Sequence, residues 1–172
     1  MNYIEHLRQM KNLNRFNGKF IFRSYNLLEH SFGVAALFVQ FAKEEGIEID
    51  SHVIDLVMNH DMPEVVTTDL LHPIKHFSAE TLSAWEVIEG ELLEEHEELA
   101  CYSGKNMKSV LTEEQYRLFK ACDYFDLYLF CREEINLGNN DPEINSAFYK
   151  CISMIKDSKL PKVLSILKSF GE

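Results

Sequence analysis

The sequence predicts an all-helical fold, and three observations predict it. Glycine and proline are scarce, 7 and 4 among 172 residues, which favours long helices over a turn-rich sheet protein. Apolar residues recur at three- and four-residue spacing through several stretches. Helix punctuation, with Asp, Ser or Thr before and glycine after, brackets several of them. An apolar fraction of 46%, with 12 Phe and 7 Tyr, is enough for a globular core, and the length suits one domain over residues 1–172.

A first helix is predicted over Tyr3 to Leu13, with Ile4, Leu7, Met10 and Leu13 on one face. The run Asn14-Arg15-Phe16-Asn17-Gly18 breaks that spacing and reads as a loop. The second helix runs from about Leu27 to Glu45, turns Val34, Leu37, Phe38 and Phe41 inward, and stops at Gly46. His30 faces inward too, because Gly33, Val34 and Leu37 follow it at i+3, i+4 and i+7. Asp50 or Ser51 caps a third helix carrying Val53, Ile54, Val57 and Met58. Val65 to Ser78 reads as short segments punctuated by Asp69 and Pro73. A fifth helix spans about Glu80 to Cys101, and its seven glutamates between Glu86 and Glu98 make a solvated face. Thr112 with Gln115 is a capping box opening a helix that runs to about Leu137, before Gly138. Asp141-Pro142 opens the next, over Glu143 to Lys156. A last amphipathic helix holds Val163, Leu164, Leu167 and Phe170.

Composition narrows the function classes. Seventeen basic against 28 acidic residues give a net charge of −11, which repels nucleic-acid backbone. A small anionic substrate is still compatible, since charges beyond a Debye length of roughly 8–10 Å are screened. The longest apolar run, Phe32 to Val39, is far short of a bilayer span, and the N-terminus lacks a signal-like apolar core, so the expected location is cytoplasmic. Cys101, Cys122, Cys131 and Cys151 form no C-x-x-C pair and read as buried thiols.

The chemistry concentrates around Met58 to Asp69, where His60 and Asp61 stand side by side after an apolar run. Neighbouring helix residues point about 100° apart, which lets an imidazole and a carboxylate reach one metal from two directions. Glu64 follows one turn later and can overhang the same site, although Pro63 ends or bends the helix there. Asp123 lies within the nearly continuous apolar run Leu118 to Cys131, where a carboxylate needs a cation, a metal or hydrogen bonds. Taken singly, each has a plainer reading. His30 would be a satisfied core histidine, and Asp123 or Asp126 would cap a neighbouring helix or pair with an arginine. Taken together, His30, His60, Asp61 and Asp123 offer mixed nitrogen and oxygen ligands suited to one divalent ion with open positions, Mn²⁺, Co²⁺, Fe²⁺, Ni²⁺, Mg²⁺ or Zn²⁺. Such an ion lowers the pKa of a bound water from about 15.7 towards about 7, enough to supply a hydrolytic nucleophile.

The ordered set His30, His60-Asp61, Asp123 resembles the HD-domain metal-dependent phosphohydrolases, and within them the bacterial YfbR-like 5′-deoxynucleotidases. The resemblance spans Leu7 to Asn140. It rests on Asn14-Arg15-Phe16, Glu29-His30-Ser31, His60-Asp61 with Glu64 and Asp69, Pro73-Ile74-Lys75-His76-Phe77, Lys120-Ala121-Cys122-Asp123 and Gly138-Asn139-Asn140. It implies an HD-type helical bundle that hydrolyses (deoxy)nucleoside 5′-monophosphates and forms a homodimer or higher oligomer. His30, His60, Asp61 and Asp123 would ligate the metal. Glu64 would handle protons, with Asp61 beside it in catalysis. Arg15 would grip phosphate, joined by Lys75 and Lys120, and Asp123 would border the substrate as well. Phe16, where the family usually has Trp, would line the sugar and base pocket, and Asp69 would meet the 3′-hydroxyl. The family's Asp-Leu-Pro-Thr-Pro becomes Asp69-Leu70-Leu71-His72-Pro73, which offers His72 in place of a hydroxyl. Gly18 stands where a bulkier apolar residue is usual, which implies weaker exclusion of a 2′-hydroxyl. The missing Gly-Tyr-Pro motif argues against the cyclic-dinucleotide branch. Two further readings stand beside this one: a small HD-type deoxynucleoside triphosphate triphosphohydrolase, as in some phages, and a catalytically silent module that binds a nucleotide or a partner.

Overall fold

A computed structural model describes residues 2–68 and 77–172, and among these every regular element is helical. In chain order they are α1 (Tyr3–Gln9), a 3₁₀ turn (Met10–Asn12), α2 (Leu27–Glu45), α3 (Ser51–Met58) and α4 (Glu64–Thr67). There follow α5 (Ala79–Glu94), α6 (Glu97–Ala100), α7 (Gly104–Val110), α8 (Glu113–Asn136), α9 (Pro142–Asp157) and α10 (Pro161–Ser169). Pairing of extended backbone among the described residues is confined to an isolated bridge between Asn14 and Asn26.

Two long helices, α2 and α8, form the spine. Asn26 caps α2 by accepting from the Glu29 amide, and Gly46 closes it at φ 75°, where a β-carbon would be strained. Its buried face runs Leu27, His30, Ser31, Val34, Ala35, Phe38, Phe41 and Ala42, a helical repeat in which one histidine sits among apolar groups. The Thr112–Gln115 capping box opens α8, with both reciprocal bonds present. From α8, Leu118, Phe119, Ala121, Cys122, Phe125 and Tyr128 pack into the same core, with Phe125 edge-on to Phe41 at 5.4 Å. Asp141 and Pro142 start α9, which packs against α8, and α3 packs against α2. The spine therefore brings residues 30 and 123 into one interior.

Several expectations change. The first helix is α-helical only to Gln9, then tightens to 3₁₀; Ile4 is exposed, while His6 turns inward. In α3 the buried residues are Val53, Leu56 and Val57, and Met58 faces out. The helix expected over Glu80 to Cys101 breaks at Glu95–His96 into α5 and α6. The reason is geometric. Leu93 and Leu99 are both buried, but six residues advance a helix by about 240°, so an unbroken one could not point both inward. The short α7, capped by Ser103 and holding Met107, is an addition. The glutamates of α5 and α6 are solvated apart from the half-buried Glu89, and Cys101 is exposed while the other three cysteines are buried.

The loop between α1 and α2 is fastened from α8. Glu134, fully buried, accepts from the Phe22 and Arg23 amides at 2.8 and 2.9 Å and from Asn139 Nδ2 at 2.8 Å. Asn139 also donates to the Phe20 carbonyl at 3.0 Å. Because a buried donor left unpaired costs roughly 1–3 kcal/mol, Glu134→Ala is expected to lose about 2–4 kcal/mol of stability. Denaturant unfolding checks the loss, and hydrogen exchange should accelerate at the Phe22 and Arg23 amides.

Candidate metal centre and adjoining cleft

His60 and Asp61 lie on a tight turn between α3 and α4 rather than on a helix, because α3 ends at Met58. Three features hold that turn. Buried Asn59 donates to the Asp55 carbonyl at 2.9 Å and to its carboxylate at 3.0 Å, and the Tyr102 hydroxyl donates to the same carboxylate at 3.0 Å. Met62 is fully buried and its amide donates to Asn59. The Glu64 amide then donates to the Asp61 carbonyl, which starts α4. The turn, in place of the expected helix, brings these consecutive side chains to one spot.

The histidine ring nitrogens are sorted by their outer partners. His60 Nδ1 lies 2.8 Å from the Val57 carbonyl, which can only accept, so Nδ1 carries the proton and Nε2 keeps a lone pair. His30 Nδ1 lies 2.8 Å from Asp126 Oδ2, which likewise leaves its Nε2 facing inward. Both Nε2 atoms are buried without a hydrogen bond, yet both meet carboxylates. His30 Nε2 is 3.3 Å from Asp123 Oδ1 and 3.6 Å from Asp61 Oδ2, and His60 Nε2 is 3.2 Å from Asp61 Oδ1. The ligand atoms of His30, His60 and Asp123 all lie within 4.8 Å of one another. Asp61 touches both histidines at the edge of that group. Burial and Arg15 disfavour the His30 charge, but Asp123, Asp126 and Asp61 outweigh them and raise its pKa, so a positive charge is favoured where its Nε2 meets the carboxylates. Ring nitrogens converging on carboxylate oxygens are what a cation would satisfy, so the donor set fits a divalent ion.

Two cations stand over the carboxylates. Arg15 Nη1 donates to Asp61 Oδ2 at 2.7 Å, and Lys120 pairs with Asp123 one turn away on α8. Burial disfavours the Arg15 charge, but Asp61, with Tyr25, Glu64 and Asp123, outweighs it and raises its pKa. Burial likewise works against Asp123, and Lys120 and His30 overcome it, leaving its carboxyl well below the usual range. Asp61 is lowered too, since His60, Arg15 and His30 outweigh its burial. Burial lowers His60, and its neighbouring carboxylates do not fully restore it. His60 is thus held as the neutral imidazole that a ligand must be.

Beside this centre, Asn14, Arg15, Phe16, Asn17, Gly18, Lys19, Ile21 and Ser24 line a cleft of about 370 Å³. Phe16 sits at φ 56°, strained for a bulky residue, and its ring stacks on Phe130 at 5.4 Å. Gly18 adopts φ 76° with open space where a side chain would be. The structure thus brings Arg15, Phe16, His30, His60, Asp61, Lys120 and Asp123 to one region, with Glu64 at the start of α4 within electrostatic reach of Arg15. The expected contacts Asp69, His72 and Lys75 lie outside the described residues. Asp126 neither caps a helix nor pairs with an arginine; it bonds His30, and Tyr25 joins it. Its spacing from Asp123, three residues along α8, was the available signal. A second His-carboxylate group, His6, His96 and Glu98, ties α1 to α6, with His6 Nε2 3.1 Å from Glu98.

With this geometry, the family model described as 5′-deoxynucleotidase YfbR-like matches residues 2–172. The 5′-deoxynucleotidase YfbR of Salmonella arizonae is 29% identical over 150 residues, covering 81% of this chain and 75% of that protein. Among solved structures, an HD-domain phosphohydrolase from Listeria innocua matches with a TM-score of 0.77 at 20% identity, over 96% of this chain and 84% of the other. The cyanophage S-2L HD phosphohydrolase DatZ, bound to dA and one catalytic Zn²⁺ ion, matches with a TM-score of 0.68 at 15% identity, over 98% of each chain. These structural likenesses show the helical HD fold.

The depressed carboxylates make stability depend on pH. A carboxyl whose pKa falls on folding contributes fully above its unfolded value of about 3.9, and the contribution is lost as pH drops through the lower folded value. Chelator-treated protein is therefore expected to lose stability from about pH 5 downwards. Asp123→Asn should flatten that acid limb in urea unfolding at pH 6, 4 and 3; equal slopes would refute the assignment.

Proposed function

The chain belongs to the YfbR-like 5′-deoxynucleotidase family, a family of metal-dependent hydrolases of nucleoside 5′-monophosphates, and we propose how its own residues divide that work. His30, His60, Asp61 and Asp123 hold the ion. One observation carries this: the two buried Nε2 atoms, each with its Nδ1 side committed elsewhere, meet the carboxylates of Asp61 and Asp123. A divalent ion bound there supplies Lewis acidity towards the phosphoryl oxygens and lowers the pKa of water.

The remaining roles belong to the chain. Arg15 presents a half-buried guanidinium whose charge is secured by Asp61, and the fork retains donors for phosphate oxygens. Lys120, seated on Asp123 and over the Phe119 ring, offers a second cation. Glu64 receives the proton of the attacking water; a bond forms from that oxygen to phosphorus while the bond to the 5′-oxygen breaks, and the proton held by Glu64 passes to the leaving 5′-oxygen, releasing nucleoside and phosphate. Phe16 and Gly18 line the cleft on the nucleoside side. Asp69 accepts from the 3′-hydroxyl, and His72 and Lys75 complete the phosphate side, as the resemblance implies. The whole chain, 1–172, acts as one HD-type domain in the cytoplasm; among the described residues no helix is long and apolar enough to cross a membrane. Leu28, Phe32 and Val39 form an exposed apolar stripe on α2, which supports pairing with a second copy.

A triphosphohydrolase would use the same centre, and the product separates the two. Monophosphates with Mn²⁺, Co²⁺, Mg²⁺ or Zn²⁺ are expected to release inorganic phosphate, and triphosphates should not release tripolyphosphate. Asp61→Ala is expected to abolish turnover and metal content while circular dichroism stays helical, and Glu64→Gln to lower kcat by about 10²–10⁴-fold with metal retained. Survival of both metal and turnover in Asp61→Ala would overturn the ligand assignment.

Sugar choice follows from Gly18. Open space there weakens exclusion of a 2′-hydroxyl, so measurable hydrolysis of AMP beside dAMP, and of UMP beside dUMP, is expected. Leucine at this φ of 76° would confound fit with backbone strain, whereas asparagine tolerates the left-handed region. Gly18→Asn is expected to raise the deoxy-to-ribo ratio of kcat/KM; an unchanged ratio removes Gly18 from sugar selection.

A further inference from the structure

The two histidines of the centre have unequal outer partners. His60 gives its Nδ1 proton to a neutral backbone carbonyl, that of Val57. His30 meets a carboxylate, Asp126 Oδ2, at 2.8 Å. A carboxylate only accepts, so it fixes the proton on Nδ1 and, unlike a carbonyl, places a negative charge behind the ring.

Three further features are built around that contact. The Tyr25 hydroxyl donates to the same Asp126 oxygen and lies 2.8 Å from His30 Nδ1, so phenol, carboxylate and imidazole meet at one point. The Tyr25 ring is buried and stacks on Phe130 at 4.2 Å with the planes 7° apart, which favours this placement of its hydroxyl. Gly33, on the turn of α2 after His30, leaves the niche that Asp126 fills. A β-carbon there would stand 2.1 Å from Asp126 Oδ1 and 2.9 Å from its Cγ, inside any real contact. Gly33 is a mid-helix glycine, a position where alanine would otherwise make the better helix former. The vacant side-chain position is what admits the carboxylate.

We propose that Asp126, seated by Gly33 and steadied by Tyr25, is a positioning residue that fixes the tautomer and orientation of His30 and strengthens its hold on the metal ion. The proposal rests on the reading of His30 as a ligand. Asp126 reaches the ion only through the imidazole, and Gly33 and Tyr25 act only through Asp126.

A merely structural staple between α2 and α8 would make a different set of observations. The test titrates chelator-treated protein with Co²⁺ alone, against a competing chromophoric chelator, and records the visible Co²⁺ spectrum. Asp126→Asn keeps size and an acceptor but removes charge; Gly33→Ala leaves every polar group in place and displaces the carboxylate. Both are expected to weaken Co²⁺ binding by about 10–100-fold and to shift the spectrum, with Tyr25→Phe intermediate. Wild-type affinity and spectrum in folded Asp126→Asn overturn the proposal, even if metal-free stability has fallen. Should Gly33→Ala fail to fold, Asp126→Asn alone decides. His30→Ala separates the two levels of failure. If it loses Co²⁺ while Asp126→Asn does not, only the role of Asp126 is wrong; if it binds Co²⁺ like wild type, the ligand reading falls and the proposal with it.

Discussion

Everything near the centre answers one constraint: Asp61 and Asp123 bring two carboxylates into a helical interior together. Opposite charges at about 4 Å attract by about 4 kcal/mol at an effective dielectric near 20, while removing one partner of a buried pair costs about 3–5 kcal/mol. Arg15 on Asp61 and Lys120 on Asp123 are what let the apolar spine contain those acids at all. The imidazoles then close the other side. The core packing of α2 against α8 is therefore subordinate to a charge arrangement, and the spine can be read as the scaffold that places it.

That subordination explains which parts were legible in the sequence. The boundaries of α2, α8 and α9 were readable because Gly46, the Thr112–Gln115 box and Asp141-Pro142 act on the backbone within a few residues. The grouping of His30, His60 and Asp123 was readable because polar residues in apolar runs require partners. What could not be read depended on contacts remote in sequence. The break at His96 follows from burying Leu93 and Leu99 together, which only the finished core demands. The turn bearing His60 and Asp61 depends on Asn59, Asp55 and Tyr102, a network spread over 47 residues of separation. Asp126 stood out in the same apolar run, but its partner could not be read, because the niche it fills is left by Gly33 on another helix.

The cleft and the metal centre share one support. Phe16 stacks on Phe130, Phe130 on Tyr25, and Tyr25 meets His30 and Asp126. Arg15 joins the same structure through its amide, which donates to the Tyr25 carbonyl at 2.8 Å, and through its guanidinium, 5.8 Å from the Tyr25 ring centre. A left-handed phenylalanine costs roughly 1–3 kcal/mol and persists only where its surroundings over-determine it. Here they do: the ring stacks on Phe130, the Phe16 carbonyl accepts from the Lys19 amide at 3.0 Å, and the preceding Arg15 amide is bonded to Tyr25. The strain places the ring in the cleft wall beside Arg15.

Charge accounting then bears on how a protein of net charge −11 can take an anionic substrate. Asp61 and Asp123 are matched by Arg15 and Lys120. Formally, a bound divalent ion adds two positive charges, and Asp126 and Glu64 subtract two, so the centre as a whole is close to neutral. Attraction for phosphate must therefore come from placement. Asp126 lies behind the His30 imidazole, whereas Arg15 lines the cleft itself. Because screening erases most of the surface charge beyond roughly 8–10 Å, the substrate experiences chiefly the charges that face it. Arg15, facing the cleft, is therefore the charge of the centre best placed to meet an anion entering there.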